Sequence, residues 1–328
     1  CAPMLHFCRK RHCYYTAKHG GLSIINKGAK SNKCHCGKIL LALSMLWIYN
    51  ICRVKMREGT KMTSKEKNIA VYQSALSFLS EIIPDGMTKQ DLEKYYVGNK
   101  FNYSSLTDIF EQLIASAQNY QGMPNFIKYF ERRDRIKAIL ADFDIARISE
   151  MNIETLYLTF RKEFNVTSAD TKYNAWHKWS RSVIDAAEFM CNFKSVDDFN
   201  RFVKQFDYNL PTRIALPLLI STKISGIGFA LACDALKELG FTSYAKPDIH
   251  LIDICEELGL SDRNQLNVFE AIVRIANDSV EIDPDVTPNK VDKIMWLISS
   301  GNFYMDGKTI GSHKKDYIRR TKTILKLD

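Results

Sequence analysis

Cysteine is scarce over most of this sequence: residues 62–328 hold only Cys191, Cys233 and Cys255. That excludes a disulfide framework, and with no cysteine after position 255 a four-cysteine iron–sulfur site cannot be built in the C-terminal part. Three scattered thiols fit a reducing compartment, so a cytoplasmic protein is expected. Long apolar runs are missing as well. The longest, "ILLALSMLWIYNI" at 39–51, has 13 residues, short of the roughly 18–20 that span a bilayer. Repeats and low-complexity tracts are absent, so the 328 residues are enough for one large domain or two lobes, each with its own core.

Acidic residues are almost missing from the first 61 positions, which carry 1 of the 37 Asp+Glu and 12 of the 46 Lys+Arg. A net charge of +9 would alone point to a polyanionic partner. Residues 62–328, however, come to −2, so the excess belongs to the leader. Cys1, Cys8, Cys13, Cys34, Cys36 and Cys52 lie there too, and the leader begins without Met. Three readings of it compete: a stretch upstream of a true start at Met62, a membrane anchor at 39–51, or a small metal-binding or targeting segment. The metal reading rests on Cys8-x4-Cys13 and Cys34-His35-Cys36, whose spacings are not those of paired C-x2-C knuckles. We place residues 1–61 outside the fold and residues 62–328 in one body.

Past Met62 the apolar positions recur at three and four residues, which predicts helices at 68–83, 105–120, 126–143, 175–190, 196–206, 213–224, 228–240, 250–260, 265–276, 289–301 and 314–327. No Asn-Gly between alternating runs signals a β-hairpin, so the expected class is all-α. Connections are marked by "IPDG", "QGMP", "NLPT" and "EIDPDVTP". Ser104 or Ser105, and Asp248 after Pro247, are expected N-caps, and Gly240 an expected helix end.

Within 216–258 the sequence "ISGIGFALACDALKELGFTSYAKPDIHL" sets Ser225-Gly226-Ile227-Gly228 before a helix and a lone Asp twenty residues on. A glycine turn that opens a helix leaves unpaired N–H groups facing outward, a natural seat for phosphate. Alone, G-x-G equally describes an ordinary helix-turn-helix whose glycines only permit tight packing.

Three blocks together carry a resemblance. The hairpin with "PDIHL", "LIASAQNYQ" at 113–121 and "MWLISSGNFY" at 295–304 resemble, in order and spacing, motifs of the helix-hairpin-helix DNA glycosylase superfamily. The likeness runs from about residue 100 to 306. It implies a two-lobed all-α fold with the active cleft between lobes, and an enzyme that flips a damaged or modified base out of duplex DNA and hydrolyses its N-glycosidic bond. Base cleavage develops positive charge on the sugar, which an ionised carboxylate stabilises. By resemblance that carboxylate is Asp248; otherwise it is a plain N-cap.

The same resemblance has the amides of Gly226, Gly228 and Ala230 grip a phosphate. Gln118 would enter the space left by the flipped base, with Asn119 and Tyr120 as neighbours able to share that role, unless it is merely an exposed helix end. His250 matches a "D-x-H" position that touches phosphate, or is a buried capping histidine. Tyr173, Trp176 and Trp179 form a stripe that reads as core or as a stacking wall for the flipped base. The basic faces at 129–137 and 314–322 are solvated surface or phosphate contacts. Members with lyase activity carry Lys two residues after the second hairpin glycine. Here Ala230 stands there, which implies hydrolysis alone, with Lys246 or Lys223, both close in sequence, as the candidate amine for an off-register lyase. No cofactor, no metal and no obligate protein partner is expected; the partner is double-stranded DNA. Oxidised, alkylated, mismatched and enlarged bases all remain open as substrates, as do repair and defence against foreign DNA. Two rivals from other classes stand beside this reading: a non-enzymatic DNA-binding module in which Asp248 only caps, and a helical protein anchored to a membrane by its N-terminal segment.

Overall fold

The structure, a computed structural model, describes residues 14–18, 21–25, 62–96, 103–120 and 122–327. The chain divides into two compact units, Cys1–Lys61 and Met62–Asp328. In the first, strands β1 (Tyr14–Lys18) and β2 (Gly21–Ile25) pair antiparallel, Tyr14 opposite Ile25 and Lys18 opposite Gly21. The leader's cysteines and its apolar run at 39–51 lie outside the described residues.

The second unit is predominantly helical. Its helices are α1 (Ser64–Glu81), α2 (Lys89–Tyr96), α3 (Leu106–Ala117), α4 (Pro124–Ile127), α5 (Tyr129–Ile139), α6 (Ile145–Ser149), α7 (Ile153–Glu163), α8 (Ala175–Met190), α9 (Val196–Phe206), α10 (Leu210–Lys223), α11 (Phe229–Glu238), α12 (Ile249–Glu257), α13 (Gln265–Ser279), α14 (Pro288–Ser300) and α15 (Lys314–Leu325). Among the described residues no helix is long and apolar enough to cross a membrane.

Local chemistry sets many of these boundaries. Thr63 and Ser105 close capping boxes with Glu66 and Asp108, each side chain taking an amide the first turn cannot pair. Gly240, at φ +93°, ends α11 as expected. The segment 126–143 differs from its expected single helix: Lys128 and then Ala141, Asp142 and Phe143 adopt positive φ, so α5 is cut off at both ends. Helices α2, α6 and α7 escaped the periodicity, being short or rich in Tyr, Thr and charge. A small antiparallel ladder, β3 (Asn302–Phe303) with β4 (Lys308–Thr309), also departs from the all-helical expectation. It follows Gly301, which ends α14 at φ +63° and lies so close to the Gly311 backbone that a Cβ would stand 1.7 Å from its carbonyl oxygen. Only glycine fits there.

Buried apolar residues gather into two clusters. One is built around Phe110, Phe160, Trp179, Val183, Phe199 and Leu236. The other is built around Tyr72, Leu79, Leu251, Ile272, Met295 and Tyr317. Helix α13 feeds both, with Phe269 and Val273 in the first and Val268 and Ile272 in the second. The chain passes from first to second between Tyr244 and Ala245, after the glycine hairpin and just before Asp248.

Candidate nucleic-acid interface and catalytic carboxylate

Helix α10 ends at Lys223, and the chain turns through Ser225-Gly226 with Ile227 N donating to Ile224 O at 3.2 Å. Ile224 and Ile227 are buried while Ser225, Gly226 and Gly228 are exposed, so two apolar anchors hold a polar loop in water. Helix α8 braces that loop from below. Ser182 Oγ donates to Ser225 O at 2.6 Å, and Ser225 N donates to Asp185 Oδ2 at 2.9 Å. Gly226 sits at φ +83°, and a Cβ there would come within 2.8 Å of Ser182 Oγ. Gly228 differs: nothing lies within 4 Å of where its Cβ would be. It caps α11 with no side chain, and the amides of Phe229, Ala230 and Leu231 meet no acceptor among the described residues. The hairpin thus presents free N–H groups and open space to solvent.

Asp248 is the N-cap of α12. Its Oδ1 accepts from His250 N at 2.9 Å and Leu251 N at 3.4 Å, and Oδ2 meets no donor among the described residues. The carboxylate is half-buried. Burial and then the nearby Asp292 push its pKa above the usual value, while Lys246, His250 and the His250 amide pull it down.

A buried charge network that sequence reasoning missed ties the strap leading into Asp248 to the helix that follows the hairpin. Lys237 on α11 reaches Asp234 Oδ1 at 3.2 Å and Asp292 Oδ2 at 2.9 Å. Lys246, two residues before Asp248, gives its ammonium to Asp234 Oδ2 at 3.0 Å and its backbone N–H to Asp292 Oδ2 at 2.8 Å. Burial works against the Asp234 charge, but Lys237 and Lys246 outweigh it and hold the carboxyl at about 2. For Lys237 burial is likewise overcome, by Asp292 and Asp234, and its pKa is raised. The network ties the helix after the hairpin to α14 and to the strap that carries Asp248. A signal was present: Asp234 interrupts the apolar face formed by Ala232, Cys233, Ala235 and Leu236, and Asp292 sits beside Val291.

The remaining candidates divide. Gln118, expected to project into DNA or to lie exposed, is buried at 3 % exposure, its Oε1 accepting from Tyr129 N at 3.0 Å. In this arrangement it secures the end of α3, and the exposed neighbour is Asn119. Trp176 and Trp179 are core residues, 2 % and 0 % exposed, with Trp179 Nε1 donating to Ile114 O at 3.0 Å; Tyr173 alone of the stripe faces solvent. His250 is half-buried with its ring edge-on to Trp296, and its buried Nδ1 meets no partner among the described residues. Lys223 is exposed and lines a cleft with Asp185 and Glu188. Of the two candidate amines, Lys246 is thus committed to Asp234.

No protein-family model, no curated protein and no solved structure matches this chain.

Proposed function

We propose that residues 62–328 form a DNA glycosylase that grips duplex DNA through the hairpin amides, flips a damaged or modified base, and hydrolyses its N-glycosidic bond with Asp248. The observation that carries this reading is the Asp248 carboxylate itself. One oxygen is tied by two amides and the other meets no donor among the described residues, and the Lys246–Asp234–Lys237–Asp292 network ties Lys246, two residues before it, to the helix that the hairpin opens. A fixed, partly desolvated negative charge is what a developing sugar cation requires. The two apolar clusters, with the chain crossing between hairpin and Asp248, support a two-lobed body whose cleft lies at that crossing. Ala230 at the lyase position and the engaged Lys246 favour water over an amine as the group that captures the sugar, so the product is an abasic site in an intact strand. The setting is the cytoplasm, on the nucleoid, in repair or in defence against modified foreign DNA.

The test is mass spectrometry of bases released from duplexes carrying oxidised, alkylated, mismatched and enlarged bases, with Asp248→Asn beside the wild type. Asparagine still caps a helix, so the variant removes the charge and keeps the fold. Release should fall by several orders of magnitude, with duplex affinity retained. Release from no substrate, or equal release by the variant, sinks the reading.

A further inference from the structure

A cleft of about 580 Å³ opens at the N-terminal end of α8. Five aromatic residues, Tyr120, Phe126, Phe164, Tyr173 and Trp176, contribute to its walls together with the cations Arg132 and Lys178, and among the described residues no Asp or Glu does. Two other clefts are unlike it. One carries Asp185, Glu188 and Asp198, the other Asp253, Glu256 and Glu257.

Both cations are half-buried, and among the described residues neither has a carboxylate partner. Arg132 Nη1 donates to the carbonyls of Phe126 and Ile127 at 2.7 and 3.2 Å, and its guanidinium lies over the rings of Phe164 and Trp176 at 5.0 and 5.6 Å. The Lys178 ammonium stands 5.7 Å from the Tyr120 ring centre. Partly desolvated cations with no counter-charge favour an anionic guest. The rings narrow the choice. Tyr173 and Phe126 are 71 % and 57 % exposed, large π-faces set beside those cations. Single-stranded nucleic acid complements both features, its phosphates meeting the cations and its bases stacking on the rings. A phosphopeptide would answer the charge and leave the rings bare.

The cleft shares α8 with the hairpin's brace. Ser182 Oγ donates to Ser225 O at 2.6 Å and back to Lys178 O at 3.2 Å. Lys178 and the residue that braces the hairpin are therefore one helical turn apart, about 5–6 Å along the axis. Asn119, exposed, precedes Tyr120 in the cleft wall. Neither Asp248 nor a hairpin residue lines the cleft, so it is not the pocket in which the base would be cut.

We propose that this cleft is a separate nucleic-acid site that seats an unpaired nucleotide stretch, its phosphates against Lys178 and Arg132 and its bases on Tyr173 and Phe126. The inference goes beyond base removal and needs no catalysis.

The test is fluorescence anisotropy of a labelled oligothymidylate with the full chain, titrated at several salt concentrations. The double variant Tyr173→Ala/Phe126→Ala, both exposed positions, should keep its melting temperature and bind at least roughly tenfold more weakly. Lys178→Gln should lower the salt slope by about 0.7, the value for one phosphate of a single strand. Unchanged affinity in the double variant overturns the proposal. So does displacement of the oligonucleotide by a phosphorylated peptide of equal charge at equal concentration. Base release from modified duplex is read separately. Its absence in the wild type would defeat the glycosylase reading while leaving this site to stand or fall on the anisotropy.

Discussion

Lys246 places its ammonium 3.0 Å from Asp234 Oδ2, on the helix that the glycine hairpin opens, while its own backbone leads two residues later to Asp248. The amine two residues before the candidate carboxylate is therefore a strut. Borohydride should trap no covalent adduct between wild-type protein and substrate DNA, and strand breaks should appear only after alkali or heat. An adduct that disappears in Lys246→Ala would make this lysine a nucleophile; one that disappears in Lys223→Ala would move the amine to the exposed end of α10.

The two hairpin glycines should behave differently on substitution. At Gly228 a side chain has open space on the protein side, so Gly228→Leu should fold normally and stand between the helix amides and any phosphate. Duplex affinity should fall for all sequences alike, with a shallower salt dependence. Gly226 is held at positive φ with Ser182 Oγ in the way of a Cβ, so Gly226→Ala should lose about 1 kcal/mol or more of stability. Urea titration separates the two. A Gly228→Leu protein with unchanged affinity and salt slope would remove the hairpin from DNA binding.

The helical class and most boundaries were legible because single residues declare them: Ser105 with Asp108, Asp248 before α12, Gly240 after α11. The breaks around α5 were hidden, since Lys128, Ala141 and Phe143 adopt left-handed backbone that their side chains do not advertise. In the candidate site, the cap and the hairpin could be read because both are local in sequence. The Asp234–Lys237–Asp292–Lys246 network could not, because Asp292 joins from 55 residues beyond Lys237 and its burial depends on how α11 and α14 pack. Gln118 shows the converse. Its motif position reads as a surface role, but a long-range acceptor bond to Tyr129 N takes it inside.

The same network makes a prediction about pH. Asp248 acts ionised in the proposed reaction, so activity is lost as pH falls through its pKa, and burial together with Asp292 raises that pKa. The acid limb of kcat/KM should therefore lie above the ordinary aspartate value of about 3.9. Asp292→Asn removes one negative charge and leaves Lys237 with Asp234 alone, and both changes favour the ionised form of Asp248. The acid limb should shift to lower pH. The substitution breaks a buried pair and should cost about 3–5 kcal/mol of stability, so Lys237→Met/Asp292→Asn, which leaves no unpaired lysine, is the companion variant. Both should show the limb moving down, by different amounts, in steady-state rates measured from pH 4 to 8. A limb that stays in place in both, with protein folded, would mean that Asp292 only holds the strap and does not act on the Asp248 charge.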